Sequence, residues 1–417
     1  MMCPRQRTYL FLQGPPSPFF QQLGQRLVDD GHRVVKLHLH PGERLFWHLG
    51  SEGVFRHPLA LLPHVLMSLW RQHGITDQVL FQDSRPWHRE AVLLARRYGI
   101  RNHVFEDGYL APFWITLERE GAHQRSLLPR DPDWFREMSP RIPHMLPPRP
   151  FPGRGVGRRT FATLDRLVSL TAPMMSARRS RTSPSIGPIP SSDTPRPHKD
   201  VERHLAHKDT VWLQDGRPFF VLSPGNHLRQ DLDKPDATAE THRLLESVVA
   251  SFSRFAAPHC RLLILDTTSR QGNRGGRRWQ RRLSRLFDLE GRLGYRSATT
   301  PEPWVSHASG WVTIDGNDAH WSLEQECPTF ALGQATYCLP GLASSKGMDE
   351  FWRYPALPDI RLYHDYRRVL IYTTQINGDF YLRGGRDLAV INAVERLTGD
   401  DSPIERLLRE SRAPVAS

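Results

Sequence analysis

The sequence predicts an α/β protein of two domains, each an open parallel sheet flanked by helices, facing one another across a cleft. Three observations carry this. Short apolar runs alternate with amphipathic helical stretches through both halves, and each run ends in a polar loop bearing Gly, Pro or Asp. A Pro- and Arg-rich segment separates the halves, and 417 residues exceed a comfortable single core.

The run YLFL at 9–12 is too short for a helix and is broken by Gly14, Pro15 and Pro16. Phe19, Phe20, Leu23, Leu27 and Val28 then recur at helical spacing until Asp29, Asp30 and Gly31 stop the helix. Val34, Val35, Leu37 and Leu39 begin a second strand. Units of this kind meet their ligands past the carboxyl ends of the strands, which puts 13–17 where a substrate would arrive. A helical stretch at 59–70 and a strand at 78–81 follow, the strand delivering Gln82, Asp83, Ser84 and Arg85 into a loop. An amphipathic helix at 90–98 ends at Gly99. The strand at 103–105 then leads to Glu106, Asp107, Gly108 and Tyr109, and the segment runs on through the aromatic stretch 112–118.

With the strand ends aligned, Gln13, Asp83, Arg85, Glu106 and Asp107 converge on one rim. Carboxylates beside an arginine suit a hydroxyl-rich acceptor or acid–base work. Asp83 and Asp107 are also ordinary cap and turn residues and read as structural, whereas Arg85 with Glu106 reads as chemical. His38 and His40 share a strand face, as metal ligands do, but no third ligand is near; they read as structural.

From 139 to 197 the composition turns Pro-rich and cationic, with a short helical candidate at 161–170 and a stretch at 180–200 that can bury little. Arg154, Arg158, Arg159, Arg166, Arg178, Arg179 and Arg181 surround that helix. A solvated cationic linker is the favoured reading over one that touches anionic lipid head groups. The expected partition is a first domain at 1–138, a linker at 139–210, a second domain at 211–385 and a helical tail at 386–417.

In the second half PFFVL at 218–222 reads as a buried strand, broken by Ser223, Pro224, Gly225 and Asn226. A long helix at 238–255, a strand at 261–265 and a Gly- and Arg-rich loop at 266–276 come next. A helix at 279–287 and a strand at 310–314 lead to the loop Asp315, Gly316, Asn317 and Asp318. A helix at 320–325 and a strand at 329–333 complete the array. The two Gly-bearing loops can cradle phosphate on backbone N–H groups with Arg270 or Arg274 as counter-charge, but neither matches a mononucleotide or dinucleotide fingerprint.

The net charge of +12 comes from 56 Lys and Arg against 44 Asp and Glu, and most of the cations are Arg. That favours bidentate contact with phosphates or carboxylates, hence anionic lipid or an anionic small substrate. No nucleic-acid module is recognisable, so nucleic acid is not an expected partner. Cys3, Cys260, Cys327 and Cys338 lack paired spacing and read as reduced thiols. No apolar run reaches the ~18 residues of a membrane span, and the opening stretch is broken too soon for a signal peptide. The expectation is a cytoplasmic protein, with attachment to a membrane face through its basic surface left open.

Taken in order, FLQGPPSPFFQQLGQRLVDDGH, the QDSRPWH and LARRYGI stretch, VFEDGYLAPFWITLEREG, ESVVASFSRFA and the late FWRYP and TTQINGDFY resemble the capsular polysaccharide synthesis and export family of the KpsS/LipB type. The resemblance covers nearly the whole chain apart from the Pro-rich excursion. It implies two Rossmann-like domains in a GT-B-like glycosyltransferase architecture. It also implies retaining transfer of 3-deoxy-D-manno-octulosonic acid (Kdo) from a CMP donor to a lipid acceptor, with other capsule assembly proteins as possible partners. The donor would be a substrate, and no cofactor is implied.

On this resemblance the first domain takes the acceptor through Gln13, Gly14, Pro15, Arg85, Asp107, Gly108 and Tyr109, with Glu106 catalytic. The second holds the nucleotide sugar through Thr267, Thr268, Arg270, Gly272, Gly316 and Asn317. The chain departs from the family on this donor side. Thr267 and Thr268 stand where the family has His-Pro, and Asp315 to Ala319 replace an Asn-Ser-Thr-x-Gly loop. A Gln-x-x-x-Asp element would fall on Ser223 and His227, with Asp231 available only if the loop is shifted. Asp266, Asp315 and Asp318 would repel a CMP phosphate unless Arg270 or Arg274 offsets them. Retaining chemistry needs a carboxylate near the anomeric carbon, and Asp231 is the candidate. The alternative is a family member without catalysis, serving capsule assembly as a binding or scaffold protein.

Overall fold

The structure is a computed structural model. It describes residues 6–110, 112–151, 215–224, 235–267, 274–297, 301–314 and 316–412, with backbone only at 235–241 and 274–275. The expected helix at 161–170, the arginines around it and the stretch at 180–200 lie outside the described residues.

In chain order the first elements are β1 (Thr8–Phe11), α1 (Phe19–Asp29), β2 (Arg33–Lys36), α2 (Leu62–His73), β3 (Asp77–Phe81), α3 (Pro86–Arg97), β4 (Arg101–Asp107), β5 (Trp114–Arg119) and α4 (Pro132–Met138). Beyond residue 215 come β6 (Phe219–Ser223), α5 (Pro235–Phe255), β7 (Arg261–Asp266), α6 (Arg274–Leu286), β8 (Leu293–Ser297) and α7 (Glu302–Val305). Then follow β9 (Gly310–Thr313), α8 (Ala319–Glu324), β10 (Thr329–Ala331), α9 (Met348–Phe351) and α10 (Ile360–Thr374). Last come β11 (Gln375–Asn377), α11 (Arg383–Thr398) and α12 (Pro403–Arg412). This is an α/β protein with two sheets rich in parallel pairing.

The chain divides into two compact units, the first holding the described residues within 6–128, 143–151 and 370–412, the second those within 129–142 and 215–369. In the first unit the described strands order as β2-β1-β3-β4-β5-β11, parallel from β2 to β4. Side chains alternate across a strand, so Tyr9 and Phe11 pack with Phe19, Leu23 and Ala389 on one face. Leu10 and Leu12 pack with Leu62, Leu66 and Val92 on the other. Burial on both faces explains why the run at 9–12 is apolar throughout.

Three features differ from the expected organisation. The stretch 112–118 turns back as β5, antiparallel to β4, with Glu106 opposite Thr116 and Val104 opposite Glu118. The segment from 370 onward returns to the first unit instead of completing the second: β11 pairs antiparallel with β5. There Phe380 packs its ring 5.0 Å from Phe19 and 5.3 Å from Phe81. Burial of that ring and of Ala389, Ala393 and Leu397 makes α11 part of the first core, not a tail. Residues 129–142 go with the second unit, where Phe135 meets Tyr366 at 5.3 Å and Arg136 pairs with Asp359 at 2.9 Å.

Arg7 fastens the returning helix. Its guanidinium donates to Leu397 O at 2.9 Å and Gly399 O at 3.1 Å, carbonyls that α11 leaves without partners at its end. Tyr9 Oη donates to Leu397 O as well, at 3.1 Å.

The second unit's described strands order as β10-β9-β6-β7-β8, all parallel. Phe220, Leu222, Leu262 and Ile264 pack against Leu245, Val248 and Phe252 of α5. Phe219, Val221, Leu263 and Trp311 face Trp304 and Val305. No helix among the described residues is long and apolar enough to cross a membrane.

Truncating Phe380 tests the returning segment. Phe380→Ala should cost about 3–5 kcal/mol and lower the denaturation midpoint accordingly. A tail merely appended to the fold would leave the midpoint where it is.

Candidate functional site

Because β1, β3 and β4 run parallel, their carboxyl ends bring the loops at 13–17, 82–85 and 106–110 to one edge of the first sheet. Gln13 accepts a hydrogen bond from Trp87 Nε1 at 3.2 Å. Arg85 donates to Gln82 Oε1 at 2.8 Å, and its guanidinium lies 5.8 Å from the Phe81 ring centre. Gln82 sits at φ 66°, a left-handed conformation that costs free energy and must be held by its surroundings. His88 supplies part of that hold, its Nδ1 lying 2.7 Å from Gln82 O. Burial, with the Arg85 charge adding, drives the His88 pKa down to about 3, so the ring is neutral and Nδ1–H is the donor. Asp83 accepts from Ala122 N at 3.2 Å and lies 3.5 Å from Arg125, tying this loop to the one after β5.

Glu106 is buried at the end of β4. Burial, then the charges of Asp83 and Asp107, push its pKa well above the ordinary carboxyl range, with Arg85 opposing them. His123 Nε2 lies 3.9 Å from Glu106 Oε1. A second buried carboxyl, Glu118, shares the sheet face of Glu106 through the β4–β5 register. Tyr109 Oη donates to Glu118 Oε1 at 2.5 Å and accepts from His123 N at 2.9 Å, and Ser126 Oγ donates to Glu118 Oε2. Burial lifts Glu118 to about 7 although those hydrogen bonds work the other way. The first unit thus holds two buried carboxyls of raised proton affinity, of which Glu118 can keep or release a proton near neutrality. Gly108 makes the turn possible, since a Cβ there would lie 2.1 Å from Trp114 O.

Sequence reasoning reached Glu106 and Arg85 but missed Glu118, His123 and Ser126. An acidic residue two positions after Thr116 in a buried strand was the available signal, because period-two alternation puts it on the Glu106 face once the register is known.

Gln13, Gly14 and Pro15 line a small pocket together with Lys36, Glu43 and Trp47. Arg85, Glu106, Asp107, Gly108 and Tyr109 do not line it, so the expected acceptor residues form two neighbourhoods along the rim. Lys36 is buried, pairs with Glu43 and donates to Leu12 O at 2.6 Å. Burial lowers its pKa while Glu43 opposes the change. Glu43 also accepts from Leu39 N and His40 N, each at 2.8 Å, and His40 Nδ1 accepts from Gly42 N at 3.3 Å. His40 is therefore a cap of the turn that follows β2.

In the second unit Thr267 follows β7 and is half-buried. Gly316 N donates to Thr313 Oγ1 at 3.2 Å, and Gly316 O accepts from Tyr337 Oη at 3.0 Å. A Cβ on Gly316 would lie 2.2 Å from Asp318 Oδ1, so a side chain there would have to displace that carboxyl. Asn317 O accepts from His320 N at 3.2 Å as α8 begins. Thr268, Arg270, Gly272 and Asp231 lie outside the described residues, as do His227 and Asp315.

The expected repulsion between this loop region and a phosphate is weaker than the residue types suggest. Asp266 accepts from Tyr295 Oη at 2.7 Å, and Asp318 accepts from Ser223 Oγ, so both serve the unit's own hydrogen bonding. Burial raises Asp318 to about 6, which leaves it partly protonated near neutrality.

A family model described as capsule polysaccharide biosynthesis protein matches residues 76–381. The chain is 28% identical over 388 residues to the capsule polysaccharide modification protein LipB of Neisseria meningitidis serogroup A, covering 89% of this chain and 91% of that one. It is 27% identical over 383 residues to the capsule polysaccharide export protein KpsS of Escherichia coli, covering 90% and 97%. Among solved structures, Thermosulfurimonas dismutans KpsC, a beta Kdo 2,7 transferase, aligns at 9% identity and a TM-score of 0.42, covering 94% of this chain and 99% of that one.

Glu118 gives the site a pH signature. Its folded pKa of about 7 lies above the ordinary 4.5, so its contribution to stability is full below the unfolded value and is lost as pH rises through the folded one. Glu118→Gln removes this titration and should flatten the fall of the thermal midpoint across that window. Equal slopes for parent and variant would contradict the assignment.

Proposed function

The chain belongs to the capsule polysaccharide biosynthesis family, and on that premise we propose that it is a retaining glycosyltransferase. It moves Kdo or a related acidic sugar from a CMP donor to a lipid acceptor, working from the cytoplasmic side as a peripheral protein of the inner membrane. The first unit takes the acceptor and the second takes the nucleotide sugar.

The observation that carries this reading is Glu106, a buried carboxyl of raised proton affinity at a strand end, with Arg85 acting on its charge and His123 within 3.9 Å. A carboxylate of raised proton affinity is a stronger base than an ordinary one. Glu106 in its ionised form removes the proton from the acceptor hydroxyl as that oxygen bonds the anomeric carbon. The bond to CMP breaks with its electron pair leaving on the phosphate. For retention Asp231 is assigned the first displacement, bonding the anomeric carbon as the bond to CMP breaks; the acceptor oxygen, losing its proton to Glu106, then displaces the Asp231 carboxylate, and the two inversions restore the configuration. Thr267, Thr268, Arg270, Gly272, Gly316 and Asn317 are assigned to the nucleotide sugar, and Gln13, Gly14, Pro15, Arg85, Asp107, Gly108 and Tyr109 to the acceptor.

A second reading, a binding or scaffold protein of capsule assembly without catalysis, has its own observation. The resemblance would put a glutamine at Ser223, and here the Ser223 hydroxyl is engaged with Asp318 instead.

Incubation with CMP-Kdo and a phosphatidylglycerol-type acceptor separates the two. Transfer predicts an acceptor heavier by one Kdo residue, with Glu106→Gln lowering kcat by about 10²–10⁴-fold while CMP-Kdo binding by calorimetry persists. No product together with no heat of CMP-Kdo binding would leave the scaffold reading standing.

A further inference from the structure

Helix α6 carries Arg277, Arg278, Arg281, Arg282 and Arg285, all exposed, over a rise of about 12 Å. At 100° per residue they fall on one face, an arc of about 140°. The opposite face is fixed to the second unit. Leu283 is in the core, Gln280 donates to Leu293 O at 2.6 Å, and a Cβ on Gly276 would lie 2.5 Å from the Tyr295 ring. The helix therefore cannot roll to hide its cations.

Solvated helix faces ordinarily interleave acids at i+4 to offset such charge. Here the i,i+4 partners are arginine to arginine at 277 and 281, 278 and 282, and 281 and 285, a like-charge arrangement that opposes the helix. The next acids, Asp288 and Glu290, stand beyond its end. Among the described residues none of the five guanidinium groups makes a hydrogen bond or ion pair. Leu286, 58% exposed, sits at the margin of the stripe.

We propose that the outer face of α6 is a docking surface for an anionic phospholipid membrane, the arginines gripping lipid phosphates and Leu286 entering the head-group layer. Guanidinium forks match phosphate oxygens in pairs, and a rigid cationic stripe with an apolar edge suits a plane of phosphates. Single-stranded nucleic acid fits less well because it wants an exposed ring for base stacking. Trp279, the aromatic of this helix, is turned inward onto His242, with ring centres 5.5 Å apart and planes at 20°. The proposal rests on the peripheral-membrane part of the proposed function and names its surface, while standing apart from the transfer chemistry and from the arginines at 154–181.

The test uses the full-length chain and cosedimentation with phosphatidylcholine vesicles, with and without phosphatidylglycerol. Binding should require phosphatidylglycerol, weaken with salt and resist competition by glycerophosphate at equal phosphate concentration. The triple variant Arg277→Gln, Arg281→Gln, Arg285→Gln should bind about a hundredfold more weakly, on the order of fivefold per charge, with an unchanged thermal midpoint. The matching triple Lys variant should keep most of the binding. The idea is overturned if the Gln variant sediments like the parent, if neutral vesicles bind equally well, or if glycerophosphate abolishes binding. It is also overturned if the Gln variant loses only affinity for single-stranded RNA.

Discussion

Burying a parallel sheet on both faces leaves its strands almost nothing polar to offer except at their ends, and the chemistry of this protein follows from that constraint. In the first unit Tyr9, Phe11, Val79, Phe81, Val104 and Phe105 are committed to the two cores. Gln13, Arg85 and Glu106 can therefore appear only where the strands stop. Polar exceptions inside the strands are paired: Gln78 of β3 donates to Asn102 of β4 at 3.1 Å, His103 of β4 lies 2.8 Å from Asp77, and β5, antiparallel to β4, carries Glu118 within its span. A carboxyl in that position sits in a low-dielectric setting, and its proton affinity rises as a result.

Raised proton affinity recurs in both units. Glu106 and Glu118 in the first and Asp318 in the second are buried carboxyls whose charged forms are disfavoured chiefly by loss of water. Their partners differ in kind. Glu118 and Asp318 are held by neutral hydroxyls, from Tyr109 and Ser126 in one case and Ser223 in the other. Glu106 instead feels charges of both signs, Asp83 and Asp107 against Arg85. A carboxyl poised between opposing charges responds strongly when a ligand changes either one, whereas a hydroxyl-bound carboxyl is buffered.

How far the sequence could be read depends on whether a feature is local. The β1-α1-β2 unit, the strands at 78–81, 218–222, 261–265 and 310–314, and the helices between them follow from apolar spacing and breakers, and the structure has these strands to within a residue at each end. β8 escaped notice because Leu293, Gly294, Tyr295, Arg296 and Ser297 show neither a continuous run nor clean alternation. β5, expected only as a continuation of the segment after β4, turns back on it as an antiparallel neighbour, and β11 escaped because its pairing with β5 spans more than 250 residues and leaves no trace in a window of a dozen. The same reason divides the site. Arg85 and Glu106 stand at predictable strand ends, while Glu118 and His123 reach them only through a register that the sequence does not print. Asp231, Thr268, Arg270 and Gly272 lie outside the described residues.

The clasp of Arg7 on Leu397 and Gly399 has a bearing on biosynthesis. A ribosome emits residue 7 almost four hundred codons before the carbonyls that guanidinium will hold, and Phe19 and Phe81 wait nearly as long for Phe380. The nascent amino-terminal half therefore travels with an uncovered aromatic face until translation nears completion, while the second unit has most of its chain in hand earlier. Chaperone demand in this molecule is thus written into its topology, and a premature stop near codon 370 would leave that face permanently bare.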